Sequence, residues 1–146
     1  FKSDVDIDDV TFQRVGDYDL LITLAGSNDS LLIRNEYDIA VWDMNDVEQF
    51  AFADGTILSK FDIIDRLIAA QVSEGDDTVT AFDFDEVIAT GAGADTIDGR
   101  SGNDVITGGT GNDAIDSGWG NDTIYYARGD GNDTITDSGM WDTDDR

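Results

Sequence analysis

Carboxylates recur in this chain at a fixed interval. Asp95, Asp104, Asp113 and Asp122 stand nine residues apart, Asp77 lies eighteen residues before Asp95, and Asp133 follows Asp122 by eleven. Most of them end a glycine-rich stretch, with Gly91 and Gly93, Gly109 and Gly111, or Gly118 and Gly120 just upstream. Glycine permits backbone angles that a Cβ forbids, so carbonyl oxygens can converge on a point. Such carbonyls, joined by a carboxylate, are hard oxygen donors of the kind calcium takes in groups of about six to eight.

The carboxylates belong to a longer pattern. Gly99-Arg-Ser-Gly-Asn-Asp-Val-Ile-Thr107 is followed without a gap by Gly108-Gly-Thr-Gly-Asn-Asp-Ala-Ile-Asp116. Thr90 to Asp98 precedes this pair in the same phase and Ser117 to Tyr125 follows it. Val72 to Thr80 keeps a Gly-x-Asp core, Ala81 to Ala89 keeps the phase but not the glycines, and Arg128 to Thr136 matches after two extra residues, Tyr126 and Ala127. Val79, Ile88, Ile97, Ile106, Ile115 and Ile124 mark the period, with Ile135 eleven residues on.

These nonapeptides resemble the RTX, or haemolysin-type, calcium-binding repeats, whose consensus is G-G-x-G-x-D-x-U-x. The resemblance implies a mainly β fold, a parallel β-roll in which each six-residue turn binds calcium and each x-U-x triplet is a short strand. The ligand set carried over by position is Asp77, Asp95, Asp104, Asp113, Asp122 and Asp133, with Gly91, Gly93, Gly99, Ser101, Gly109, Gly111, Gly118 and Gly120 in the turns. Several calcium ions are implied. The single aliphatic residue of each triplet faces inward, because successive side chains in a strand point to opposite faces.

One turn of a roll consumes two nonapeptides, so turns two repeats apart share an edge. Asp77, Asp95, Asp113 and Asp133 are expected on one edge, and Glu86, Asp104 and Asp122 on the other. The best sites are expected between Asp95 and Asp113 and between Asp104 and Asp122. The Ala81 turn carries Phe82 and Phe84 in place of glycine, and the Tyr126-Ala127 insertion is expected to disturb the stacking.

Composition agrees with a cation-binding role. The chain of 146 residues has 33 acidic and 8 basic residues, no His, and a formal net charge of −25. Such a charge disfavours nucleic acid and anionic bilayers, attracts cations, and resists compaction until they bind. No apolar run approaches the roughly 18 residues of a membrane span, so no transmembrane segment is expected. There is no Cys and no Pro. The repeat resemblance implies export and folding outside the cell, in a secreted or cell-surface bacterial protein using type I secretion. The chain reads as a fragment of such a protein.

Residues 1–71 follow a different pattern. Val10-Thr-Phe12, Asp19 to Leu24, Ser30 to Arg34 and Val47 to Phe52 are short apolar or alternating runs separated by turn residues, which predicts an antiparallel meander. Ala53-Asp-Gly-Thr56 reads as a turn. Ser59 can cap a helix with Asp62 at its third position, and Ile63, Ile64, Leu67 and Ile68 supply one apolar face up to about Gln71. Asp9-Val-Thr-Phe12, Asp19-Leu-Leu-Ile22, Val47-Glu-Gln-Phe50 and Phe52-Ala-Asp-Gly-Thr56 followed by Asp62-Ile63 resemble the haemolysin-type calcium-binding-related domain. An open roll exposes strand edges, so the meander and helix are expected to cap it. The roll itself is expected over 72–136, with 137–146 an acidic tail or the start of a following segment. Tyr125, Tyr126, Met140 and Trp141 are candidates to cover the last turn.

Other motifs carry less. Asp4-Val-Asp-Ile-Asp8 alternates like an EF-hand loop, but Asp9 stands where glycine is needed and Val15 where a bidentate Glu is needed. Without His there is no Ser-His or Cys-His pair and no zinc helix, so no intrinsic catalysis is expected. Thr110 and Asn112 lie in a turn that some ice-binding RTX rolls repeat as a flat ladder. The turns around it differ, so it reads as a solvated turn. Trp119, a large aromatic at a turn position, reads as packed or incidentally exposed, with stacking on a sugar or a partner as the alternative.

The expected function is a non-catalytic calcium module that folds on binding calcium and stabilises neighbouring domains of its polypeptide. The alternative is a calcium-dependent module that binds a polysaccharide or another surface. An anionic polyuronate would need a basic groove, and Val72 to Thr136 holds only Arg100 and Arg128 as basic residues. Residues 72–136 should be disordered under chelation and become β-rich at about 0.1–1 mM calcium, the range of extracellular calcium modules. Circular dichroism with chelator and then calcium checks this, and an unchanged spectrum would refute it.

Overall fold

In the computed structural model, residues 4–36 and 47–138 are described, and they divide into two compact units, Phe1–Leu67 and Ile68–Arg146. Met140 and Trp141 lie outside the described residues.

In the first unit, β1 (Val10–Val15), β2 (Asp19–Leu24) and β3 (Ser30–Ile33) form an antiparallel sheet in that order. Val15 pairs with Asp19 and Thr23 with Ser30, so Gly16 and the Gly26 loop make the expected turns. Period-two alternation sends Leu20 and Ile22 to one buried face of β2. A second antiparallel pair, β4 (Gln49–Ala51) with β5 (Ile57–Ser59), closes over the Phe52–Thr56 turn. There the Phe52 N–H donates to the Thr56 carbonyl at 2.9 Å and the Thr56 N–H to Asp54 Oδ1 at 2.8 Å. The sequence predicts the turn and the strand before it but not β5, which is only three residues long and carries little pattern.

Helix α1 (Lys60–Ala69) begins as predicted. The Asp62 N–H donates to Ser59 Oγ at 3.2 Å and the Ser59 N–H donates to Asp62 Oδ2 at 2.7 Å, a reciprocal capping box that satisfies two end donors. Ile63, Ile64, Leu67 and Ile68 are buried along one stripe. The helix ends at Ala69, two residues short of the predicted Gln71, and the last turn closes with the Gln71 N–H donating to the Ile68 carbonyl at 2.9 Å.

The second unit is a parallel β-solenoid of about 3 turns. One sheet has the order β12 (Thr134–Thr136), β10 (Ala114–Asp116), β8 (Thr96–Asp98), β6 (Thr78–Thr80). The other has the order β11 (Thr123–Tyr125), β9 (Val105–Thr110), β7 (Val87–Ala92). Alternate repeats supply alternate sheets, as the nine-residue period requires of a two-sheet coil. Strands β7 and β9 run six residues, past the expected triplet and into the next turn, where Gly91 pairs with Gly109 and Ala92 with Thr110.

The register puts Val79 against Ile97, Ile97 against Ile115 and Ile115 against Ile135, with Ile88, Ile106 and Ile124 on the facing sheet. Val79, Ile88, Ile97, Ile106 and Ile115 are at most 3% exposed, whereas Ile135 in the last rung is 51% exposed. Each buried aliphatic contributes roughly 1.5–3 kcal/mol, which makes these two columns the core of the unit. The Tyr126-Ala127 insertion does not break the stack, contrary to expectation. Ile135 stays in register with Ile115 and Gly131 bridges Gly111. The extra residues are absorbed in a local turn, where the Asp130 N–H donates to the Ala127 carbonyl at 3.3 Å.

Ile106→Ala or Ile115→Ala should destabilise the solenoid by roughly 2–5 kcal/mol and raise the calcium concentration at half-folding, because binding and folding are linked. Calcium titration followed by circular dichroism checks this. Equal midpoints for variant and parent would mean that these columns are not the core.

Candidate metal centre

The six-residue turns between strands stack along two edges, and the sixth-place carboxylates tie them together. On one edge the Asp77 N–H donates to Asp95 Oδ1 at 2.9 Å, the Asp95 N–H to Asp113 Oδ1 at 2.9 Å, and the Asp113 N–H to Asp133 Oδ1 at 3.0 Å. On the other the Glu86 N–H donates to Asp104 Oδ1 and the Asp104 N–H to Asp122 Oδ1, both at 2.9 Å. The structure thus brings the predicted residues together in the predicted pairs, including Asp133 across the insertion.

This arrangement uses only one oxygen of each carboxylate. Asp95, Asp104, Asp113 and Asp122 are at most 4% exposed, and the Oδ2 atom of each has no hydrogen-bond partner in the protein. A buried carboxylate oxygen without a partner carries a large desolvation cost. Four such atoms at equivalent places, joined by Glu86 Oε1 at the sixth place of the glycine-less turn, point to a ligand other than a hydrogen-bond donor.

The glycines keep that space open. A Cβ on Gly108 would collide with Asp113 Oδ2, and one on Gly99 would come within 3.0 Å of Asp104 Oδ2. At the fourth place, a Cβ on Gly111 would strike the Gly93 carbonyl. Its φ of 149° also lies where an L side chain is strained. Gly91, Gly93, Gly109, Gly118 and Gly120 occupy equivalent turn places. Ser101 pairs main chain to main chain with Trp119 on the other edge.

Among the described residues no three carboxylate, His or Cys side chains form a group that could hold a metal. A bound cation would therefore draw much of its shell from turn carbonyls, with a carboxylate from the sixth place. Partnerless buried Oδ2 atoms in glycine-lined turns fit calcium, which accepts backbone and carboxylate oxygens in flexible geometry.

Electrostatics agree. Burial, the charge of Asp104 and then the nearby Asp83 and Asp85 push the Glu86 carboxyl up to about 8, against a single Phe82 N–H bond that lowers it. Burial, with Asp122 and Asp85 adding to it, pushes Asp104 up to about 7 although the Glu86 N–H bond pulls the other way. Burial likewise raises Asp113.

Several turn positions make contacts that the sequence did not assign to them. Gly102 occupies the fourth place of its repeat, and a Cβ there would strike the Phe84 carbonyl. Phe84 therefore holds its turn place without being glycine. Thr90, fully buried at a first place, donates through Oγ1 to the Gly108 carbonyl at 2.7 Å. At the fifth place a second ladder runs outside the first. The Asn121 N–H donates to Asn103 Oδ1 at 2.9 Å, the Asn103 N–H to Asp85 Oδ1 at 2.7 Å, and the Asn132 N–H to Asn112 Oδ1 at 3.0 Å. Their common phase was the available signal. Trp119 is 58% exposed, the second of its two expected placements.

A parallel solenoid whose turns align glycines, carbonyls and partnerless carboxylate oxygens is, as a class, a cation-binding repeat protein. The model of the RTX calcium-binding nonapeptide repeat matches four times, over residues 71–97, 80–115, 89–124 and 99–135, and the haemolysin-type calcium binding protein related domain matches residues 19–61. Residues 71–135 are an RTX calcium-binding repeat array, preceded by the related domain. No curated protein and no solved structure matches the chain.

Without metal, Glu86 and Asp104 hold protons in the folded state at pH values where the unfolded chain has already lost them. The folded state then binds more protons, so its stability falls as pH rises from about 4.5 towards 7 and 8. Under chelation the β signal should be larger at pH 5 than at pH 8. At pH 5, where the metal-free fold is favoured, calcium binding to it should release protons, read as a dependence of the binding heat on the buffer's ionisation enthalpy. No buffer dependence would remove these two carboxyls from the binding reaction.

Proposed function

We propose that this chain is a calcium-responsive structural module of a secreted bacterial protein, in which Asp95, Asp104, Asp113, Asp122 and Asp133 supply carboxylate ligands along two edges. The observation that carries this reading is the set of buried Oδ2 atoms without protein partners, repeated at Asp95, Asp104, Asp113 and Asp122. Carbonyls of the turns containing Gly91, Gly93, Gly109, Gly111, Gly118 and Gly120, and of the Gly99–Ser101 segment, complete each shell. Calcium supplies positive charge that offsets the mutual repulsion of these carboxylates.

The chain's own residues do the rest. The rung bonds hold one oxygen of each carboxylate and leave the second directed into the turn. The glycines exclude side chains from that space, and the isoleucine columns make the ordering of one turn favour the ordering of the next. The module is non-catalytic in this reading and stiffens or stabilises neighbouring domains once the polypeptide meets calcium outside the cell. Among the described residues no helix is long and apolar enough to cross a membrane.

Asp104→Ala and Asp113→Ala should each remove discrete calcium sites, whereas Asp98→Ala and Asp116→Ala should leave the number of ions unchanged. All four remove one negative charge. Asp98 instead bonds the Arg100 N–H at 3.1 Å, and Asp116 accepts from Ser138 Oγ at 2.9 Å. Their effect on a bound cation is a screened field only. Isothermal titration of the four variants decides. Similar small losses in all four would mean diffuse condensation of calcium on an acidic chain and would overturn the ladder.

A further inference from the structure

The first turn of the ladder is closed differently from those that follow. Asp77 has both carboxylate oxygens engaged inside its own turn: the Ser73 N–H donates to Oδ2 at 2.6 Å and the Ser73 hydroxyl to Oδ1 at 2.7 Å. Ser73 Oγ also accepts the Gly75 N–H at 3.2 Å. Asp77 therefore lacks the partnerless oxygen found at Asp95, Asp104, Asp113 and Asp122.

The strand that follows is closed as well. β6 is the outermost strand of its sheet, and among the described residues no further strand pairs on its outer side. There the Thr80 N–H donates to Gln71 Oε1 at 2.9 Å, and Gln71 Nε2 donates to the Thr80 carbonyl at 3.3 Å. A carboxamide presents the same donor and acceptor as a peptide group. The Gln71 side chain thus takes the place that a peptide of one more strand would fill, which blunts an edge otherwise open to pairing.

We propose that Gln71, Ser73 and Asp77 form a metal-independent end cap that orders the first turn and serves as the template on which the calcium-bound turns stack. The closed turn presents the Asp77 N–H to Asp95 Oδ1, the first bond of its edge. In a linear array each unit is stabilised by its neighbour, so a first unit that is ordered without a ligand lowers the cost of starting the stack. This narrows the disorder expected of 72–136 under chelation to the turns after Thr80, and it assigns Asp77 to closing the end rather than to an ion. The inference rests on the ladder reading above.

The test uses the full chain. Asp77→Ala and Ser73→Ala should bind the same number of calcium ions as the parent, with a folding equilibrium constant at saturating calcium about tenfold lower, as for loss of a capping side chain. Ser73→Thr, which keeps the hydroxyl, should restore it. Asp113→Ala should lose ions. Under chelation, hydrogen exchange of the unaltered chain should show the Gly75 and Thr80 amides protected while those of Ile106 and Ile115 exchange freely. Loss of an ion in Asp77→Ala, parental stability in Ser73→Ala, or exchange at Thr80 as fast as at Ile115 would each overturn the cap while leaving the ladder standing. If neither Asp77→Ala nor Asp113→Ala changed the ion count, the ladder itself would fall, and the cap with it.

Discussion

The solenoid depends on one hydrogen bond made repeatedly, from the main-chain N–H of a sixth-place residue to the Oδ1 of the aspartate one full coil later. A carboxylate held this way keeps turns two repeats apart in register, which in turn sets Ile97 over Ile115 and Ile88 over Ile106. The isoleucine columns and the carboxylate ladders are therefore two consequences of a single spacing. The bond also decides the chemistry, because an aspartate has a second oxygen and the fold offers it no partner.

That second oxygen makes the coil costly to form by itself. Carboxylates are buried one above another along each edge, and burial together with like charge drives Glu86 and Asp104 well above the usual carboxylate range. Arg100 lies 4.0 Å from Asp83 and sits at φ 65°, a left-handed conformation that costs a non-glycine residue about 1–2 kcal/mol. A fold whose buried charges repel one another is stabilised by a cation bound among them.

Variation among the repeats is tolerated where the rung bond survives. The Tyr126-Ala127 insertion enlarges one turn, so that a Cβ on Gly129 would meet nothing within 4 Å, yet Gly131 and Asp133 return to the stack. The Ala81 turn lacks glycine and ends in Glu86, but its main chain still donates to Asp104 and its Phe84 carbonyl still lies against Gly102. Register is held by the sixth-place residue and the aliphatic two places later, which both irregular repeats retain.

The sequence alone determined the period, the inward aliphatics, the two sets of edge residues and the helix beginning at Ser59, because each is set by local spacing or by side chains three or four residues apart. Only the tertiary structure decided how the insertion is absorbed, which carboxylate oxygens lack partners, and that Asp77 is satisfied within its own turn. Those outcomes turn on contacts eighteen or more residues apart, or on whether a neighbouring strand exists at all. Ser73 and Gln71 illustrate the difference. In the sequence they are ordinary polar residues, Gln71 just before a weak repeat and Ser73 at its second place. They acquire a role only because β6 ends its sheet among the described residues, where the Gln71 carboxamide meets the main chain of Thr80 and the Ser73 hydroxyl holds the Asp77 carboxylate.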